Sequence, residues 1–123
     1  MSINFTSRTF LKSHMRDILG FYERQAKDCN GGFYQNYLDN GDIFNPEIKH
    51  LVSSCRMVVN FAIGDQLFNQ SNFEELWKHG LNFVQNHHWQ HDSQGYAWTL
   101  ENNIPSDQTN HCYGLAFVLL MYA

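Results

Sequence analysis

KHLVSSCRMVVNFAI, residues Lys49 to Ile63, is the stretch whose periodicity decides the fold. Wound as a helix at about 100° per residue, it places Leu51, Cys55, Val58, Val59 and Ala62 on one apolar stripe. Lys49, Ser53, Arg56 and Asn60 fall together on a second, polar stripe. Val52 and Ile63 border that polar stripe, so Arg56 has apolar neighbours on a helix almost free of charge. Two readings fit such an arginine. Its guanidinium is aimed into a pocket, or it snorkels to water from the rim of a core helix, which is the commoner use of the residue.

Upstream, residues 1–6 read as a loose leader, and Ser7 is placed to cap a helix running to about Lys27. Leu11, Met15, Ile18 and Tyr22 recur on it at helical spacing. Gly31 and Gly32 end that helix. Phe33 to Leu38 fits a short strand, Asp39-Asn40-Gly41 is a tight-turn signal, and Pro46 suits the first turn of the next helix. Downstream, Ser71-Asn72-Phe73-Glu74 has capping-box spacing, and Phe73, Trp77, Leu81 and Val84 form the apolar face of a third helix.

The second half repeats the first. Gly95-Tyr96-Ala97-Trp98-Thr99-Leu100, Glu101-Asn102-Asn103 and Ile104 retrace Gly32 to Leu38, Asp39-Asn40-Gly41 and Ile43. His111 to Ala123 retraces His50 to Ala62, with a spacing of 61 to 63 residues throughout. The unit is helix, turn-rich ribbon, helix, and each such hairpin must bury its face on a neighbour. The closing segment LAFVLLMYA is apolar on every side and carries no stop signal before Ala123. A helix of that kind is meant to be enclosed. Two hairpins cannot enclose it, so the expectation is one partial domain over residues 1–123, the front of a larger stack; oligomerisation is the competing cover.

Composition narrows the partners. The chain has 123 residues, 43% hydrophobic and 15% aromatic, enough for a core, and a net charge of −4 without a basic run. That charge argues against nucleic acid and against an anionic membrane surface. No stretch approaches the ~20 apolar residues of a membrane span, and MSINFTSRTF has no secretory pattern. Cys29, Cys55 and Cys112, odd in number and without CxxC spacing, read as reduced thiols, with Cys55 and Cys112 on helical apolar faces. A cytoplasmic location is expected on these grounds.

The pieces that stand out are Gly31-Gly32-Phe33-Tyr34, Asp39-Asn40-Gly41, Lys49 to Arg56, His79-Gly80, Gly95-Tyr96-Ala97-Trp98 and Tyr113-Gly114-Leu115-Ala116-Phe117. In this order and over nearly the whole chain, they resemble the N-acylglucosamine 2-epimerase superfamily, with its cellobiose 2-epimerases, mannose isomerases and sulfoquinovose isomerases. Lys-His-Leu-Val-Ser-Ser-Cys-Arg leans toward the mannose-isomerase-like branch. The resemblance implies an all-α fold, about the first third of an (α/α)6 toroid with short β-ribbon turns, which agrees with the hairpin repeat. It implies a sugar substrate, proton transfer next to the sugar carbonyl through an enediolate, and no cofactor. It gives Arg56 the catalytic role of holding the developing oxyanion, and Tyr113 the role of a hydroxyl on the substrate. A permanent charge on a planar fork suits the first role; the residue pattern alone favours a hydrogen-bonded core tyrosine for the second. The acid and base histidines that the family uses lie on later helices, so the chain alone is expected to be inactive.

Three rivals are weighed against this. The cluster His87, His88 and His91 invites a metal, but no carboxylate or cysteine follows at ligand spacing, so none is expected; His87 and His88 finish the third helix instead, where a cation suits the dipole. A glycoside hydrolase or lyase on the same toroid needs paired acids, and Glu47, Asp65, Glu74, Glu75 and Asp107 form no pair. A non-catalytic helical repeat module that associates through its apolar end fits the closing helix as well.

Overall fold

The computed structural model describes residues 2–123; Met1, the first residue of the leader, lies outside them, as does the side chain of Ser71. Helix α1 spans Arg8–Glu23, α2 Leu51–Phe68, α3 Ser71–Phe83 and α4 Cys112–Tyr122. Strand β1 is Ile48–His50, and β2 Trp89–Gln90, β3 Gly95–Tyr96, β4 Thr99–Glu101 and β5 Ile104–Asp107 lie between α3 and α4. Two helical hairpins, α1–α2 and α3–α4, therefore stand side by side, each joined by a ribbon.

The ribbons repeat as the sequence does. An isolated pair Lys27–Phe33 in the first recurs as the β2–β3 pair Trp89–Tyr96 in the second. A second isolated pair, Tyr37–Ile43, takes the place of the β4–β5 ladder. The expected strand over Phe33 to Leu38 is thus reduced to bridges near its ends. Strand β1 then pairs antiparallel with β4, Lys49 opposite Leu100, and gives a sheet of order β1-β4-β5 that joins the two ribbons.

Helix α1 opens as expected, the Ser7 hydroxyl accepting from the Phe10 amide at 3.1 Å. It stops at Glu23, short of Lys27, because the amides of Gln25 and Ala26 both turn back to the Tyr22 carbonyl. Gly31 and Gly32 lie beyond that end; with φ of 128° and 71° they turn the ribbon where Phe83 presses on it. Pro46 precedes β1 and not a helical turn, since α2 begins at Leu51 with His50 as its cap residue. Helix α3 likewise has Gln70 in the cap position, one residue before the Ser71 of the expected box. Its last turn, Val84–His88, is wound as a π-helix.

The core follows from this arrangement. Leu19, Ala26, Phe33, Val58, Phe61, Phe73 and Leu76 close the space between α1, α2 and α3. Leu51, Cys55, Val84 and Val118 close that between α2, α4 and the end of α3. Phe33, Phe61 and Phe73 are fully buried, each contributing about 1.5–3 kcal/mol relative to exposure. Because α2 is covered from three directions, its buried arc is turned away from the predicted stripe: Leu51, Cys55 and Val58 are joined in it by Ser54, Phe61 and Gly64, while Val59 and Ala62 are only half-buried. Gly80 lets α3 approach so closely that a Cβ there would stand 2.7 Å from Val58 and collide with Phe33. Helix α4 is covered on one side only. Gly114 and Val118 are buried, while Leu119 is 73% exposed. Among the described residues, no helix is long and apolar enough to cross a membrane.

Candidate functional site

Arg56 comes from the side of α2 that no other element covers, and its side chain is exposed. The guanidinium carbon lies 5.7 Å from the centre of the Phe117 ring of α4. Phe117 in turn meets Tyr113 edge-on, ring centres 5.1 Å apart. The two residues singled out from the sequence therefore share one face of the α2–α4 pair, with Phe117 between them. Tyr113 is 63% exposed, so the core-tyrosine reading does not describe it.

A cavity of about 250 Å³ adjoins Arg56. Ser53, Arg56, Met57 and Asn60 of α2 form one wall, and Tyr34, Gln35 and Tyr37 of the first ribbon form another, with Tyr22 of α1 behind them. Ser53, Arg56 and Asn60 are three of the four members of the predicted polar stripe. Arg56 supplies the charge; the remaining groups are phenols, amides, a hydroxyl and a thioether. The Tyr37 hydroxyl donates to the Tyr34 carbonyl at 2.7 Å. Burial, then the neighbouring phenols of Tyr22 and Tyr34, push its pKa up, so it stays a neutral donor.

Gln35 is fixed by a chain of hydrogen bonds that reaches into the core. Its Oε1 accepts from the His50 amide at 2.7 Å, and its Nε2 donates to Ser54 Oγ at 2.9 Å. Ser54 Oγ lies 3.1 Å from His88 Nε2, and His88 Nδ1 lies 2.9 Å from the Ala97 carbonyl oxygen. A carbonyl only accepts, so Nδ1 carries the proton of a neutral ring and Nε2 accepts from the Ser54 hydroxyl. Burial pulls the His88 pKa down to about 4, which keeps the ring neutral at pH 7. The serine and histidine are both buried, so this pair holds the ribbon to α2 and offers no nucleophile to the cavity.

Lys49, the fourth member of the polar stripe, is the main correction to the sequence reading. It lies in β1, not on α2, and is 1% exposed. Its Nζ is 2.6 Å from Asp28 Oδ2, 2.7 Å from the Gly31 carbonyl and 3.0 Å from Asn103 Oδ1, and so ties the two ribbon turns together. Burial alone would raise the Asp28 pKa, but hydrogen bonds from Lys49 and the Asn30 amide, with the lysine's charge, bring it below its ordinary value.

The HHWQH stretch puts its imidazoles to separate uses. His87 stacks on Phe83, His88 belongs to the chain just described and His91 packs edge-on to Trp89. His88 is thus not the helix-end cation that the sequence suggested, because burial keeps it uncharged. Among the described residues, no group of three or more His, Cys, Asp or Glu is placed to hold a metal ion. Cys29, Cys55 and Cys112 are free thiols, and Cys112 is exposed in the first turn of α4 instead of lying on a covered face.

Sequence reasoning missed Gln35, Ser54 and His88 as one unit. The signal was a serine on the buried arc of α2, which needs a partner, but its partners lie on two other elements.

Hairpins joined by ribbons, with a cationic groove on the uncovered side of the inner pair, define a segment of an (α/α)6 toroid. The chain belongs to the N-acylglucosamine 2-epimerase (GlcNAc 2-epimerase) family, whose family model matches residues 32–123. It is 40% identical over 119 residues to a D-mannose isomerase from Marinomonas mediterranea, covering 97% of this chain and 30% of that protein. It superposes on a crystal structure of D-mannose isomerase with a TM-score of 0.94 at 38% identity, over 99% of this chain and 31% of the other. Cellobiose 2-epimerase from Bacillus thermoamylovorans shares the fold, with a TM-score of 0.79 at 20% identity over 92% of this chain and 31% of that one. The chain thus spans about a third of the length of the relatives it matches.

Proposed function

We propose that these residues form the first third of a sugar isomerase or epimerase ring and supply its oxyanion-binding wall. The whole ring would convert an aldose such as mannose into its ketose or its C2 epimer. The observation that carries this reading is Arg56, exposed beside a polar cavity in a chain 40% identical to a D-mannose isomerase. Removing the proton next to a sugar carbonyl leaves an enediolate whose two oxygens gather negative charge. A guanidinium meets such a pair with two parallel donors and cannot lose its own proton. In this reading Tyr113 gives its hydroxyl to the sugar, and Gln35, held by Ser54 and His50, orients a ring or chain hydroxyl.

The reaction also needs a base and an acid. The Arg56 cavity is walled by phenols, amides, a hydroxyl and a thioether, none of which shuttles protons at neutral pH. His88 is buried and His79 Nε2 donates to the Gly32 carbonyl at 2.8 Å. The proton-transfer groups therefore come from the rest of the ring, and the isolated 123-residue chain is inactive. Incubating it with mannose and assaying fructose and glucose tests that half; turnover above background refutes it. The other half is tested by grafting residues 1–123 in place of the matching third of a D-mannose isomerase. The hybrid should turn over mannose, and Arg56→Ala in it should lower kcat about a hundredfold or more. A folded hybrid indifferent to Arg56→Ala would overturn the role given to Arg56.

The interaction-module reading is kept alive by one observation, the exposed apolar surface of α4 around Leu119, Leu120 and Tyr122.

A further inference from the structure

Two backbone groups fix the direction of every hydrogen bond in the chain that holds Gln35. At one end the His50 amide can only donate, and it gives its proton to Gln35 Oε1 at 2.7 Å. At the other end the Ala97 carbonyl can only accept, and it takes the Nδ1 proton of His88 across 2.9 Å. One order of donors and acceptors satisfies both ends. The Gln35 amide nitrogen donates to Ser54 Oγ at 2.9 Å, and the Ser54 hydroxyl turns its own proton to His88 Nε2 at 3.1 Å. Ser54 and His88 are both buried, so solvent does not compete for these protons.

The consequence falls on the cavity beside Arg56, which Gln35 lines. A glutamine amide has two protons on Nε2 and two lone pairs on Oε1. Ser54 takes one proton, and Nε2 also reaches the His50 carbonyl at 3.4 Å. The His50 amide occupies one lone pair. What Gln35 keeps for a ligand is the second lone pair of Oε1. Tyr37, on the same wall, is committed the same way: its phenol proton lies on the Tyr34 carbonyl at 2.7 Å, which leaves its oxygen to accept. Arg56, on the α2 wall, has donors only.

We propose that Gln35 is a specificity residue that meets the sugar as an acceptor only, and so selects a substrate by a hydroxyl that donates its proton. This rests on the reading of the cavity as the sugar site. The two walls then ask opposite things of the ligand. Arg56 takes the oxygens that gather charge at the reacting end, and Gln35 takes the proton of a hydroxyl away from it. A sugar whose hydroxyl at that point is replaced by fluorine keeps lone pairs but has no proton to give. Its fluorine would face Oε1 lone pair to lone pair, and a site built to bond a hydroxyl discriminates against such an analogue because its own polar group is left unpaired.

The test uses the hybrid ring with mannose and with analogues in which the hydroxyl at C3, C4 or C6 is replaced by hydrogen or by fluorine. The readout is kcat/KM of each analogue relative to mannose within one protein, a ratio that a mere loss of stability leaves unchanged. Removing the hydroxyl that Gln35 reads should lower kcat/KM about tenfold, and in Gln35→Met, close in size but without the amide oxygen, that penalty should fall to about twofold or less. At the position so identified, fluorine should be as poor as hydrogen. A position at which fluorine restores the rate would mean that the sugar accepts there, and would overturn the proposal. So would a set of penalties that Gln35→Met leaves unchanged. A hybrid indifferent to Arg56→Ala is a different failure: it removes the sugar site itself, and this proposal with it. One check needs no sugar. In nitrogen NMR of the 123-residue chain, the neutral His88 ring should carry its proton on Nδ1; a proton on Nε2 would reverse the order of the bonds and overturn the assignment of Gln35.

Discussion

Acidification should weaken this fold through one buried ring. Burial pulls the His88 pKa down to about 4, the charges of His87, His50 and Lys49 push the same way, and the bond to the Ala97 carbonyl opposes them. In the unfolded chain the same imidazole titrates near about 6.5. Between those two values the unfolded chain holds a proton that the folded chain lacks, so stability rises with pH across the window. The contribution of His88 is complete above about pH 6.5, falls as the pH falls, and is gone below about pH 4. A gap of about two and a half pH units corresponds to about 3 kcal/mol, a large share of what holds a small domain together. The geometry agrees: a second proton on Nε2 would point at the Ser54 hydroxyl hydrogen and break the chain that ends on Gln35. Asp28 acts in a different window. Its carboxyl lies below its ordinary value, so its share is kept until the pH drops under about 4. Urea unfolding at a series of pH values measures the effect, with His88→Gln as the control that keeps a donor and an acceptor but cannot titrate. The wild-type chain should lose about 3 kcal/mol more than the variant between about pH 6.5 and about pH 4. Equal losses in both, or a His88 ring signal that titrates near its ordinary pKa by NMR, would refute the reasoning.

Other perturbations follow from the same contacts. Lys49→Met leaves the Asp28 carboxylate buried without its partner and should cost about 3–5 kcal/mol in urea unfolding, much of which Asp28→Leu in the same chain restores. Gly80→Ala drives a methyl into Phe33 and Val58 and should cost about 1–3 kcal/mol in the same assay, seen as a lower thermal midpoint. Burial pushes the Cys55 thiol up to about 12, whereas Cys29 and Cys112 are exposed. A thiol reagent at neutral pH should therefore label Cys29 and Cys112 at once and Cys55 only after unfolding, as counted by absorbance.

What the sequence made legible was periodic. The apolar faces of α2 and α3, the cap at Ser7 and the repeat of ribbon and helix all depend on neighbours in the chain or on one fixed step along it. What it hid depended on approach from elsewhere. Lys49 looked like a surface lysine at the start of a helix because its partners, Asp28, Gly31 and Asn103, are distant in sequence. The first helix was read too long because its stop was assigned to Gly31 and Gly32, while the backbone leaves it earlier for the pair between Lys27 and Phe33. His88 was read as a cation at a helix end; the ring's burial under Ser54 and Ala97 decides otherwise. At the site, Arg56 and Tyr113 were named through family resemblance, whereas Gln35 emerged only with the ribbon folded against α2.

The stretch from Lys49 to Arg56 shows why resemblance in sequence is weak proof of a site. Lys49 clasps two ribbon turns, His50 begins α2 and anchors Gln35 through its amide, Leu51 and Cys55 fill the core, and Ser54 holds His88. Five of those eight residues are accounted for by folding alone. Arg56 is not: it is exposed, and its contact in the fold is the face of Phe117 at 5.7 Å, worth about 0.5–1 kcal/mol at an exposed site. The two kinds of residue should separate on measurement. Ser54→Ala removes a buried hydroxyl from between two polar partners and should cost about 1–3 kcal/mol. Arg56→Ala should change unfolding by less than about 1 kcal/mol, yet lower turnover in the hybrid ring about a hundredfold or more. If Arg56→Ala proves as damaging to stability as Ser54→Ala, the arginine belongs to the scaffold, and the case for a guanidinium kept for the sugar's oxygens is lost.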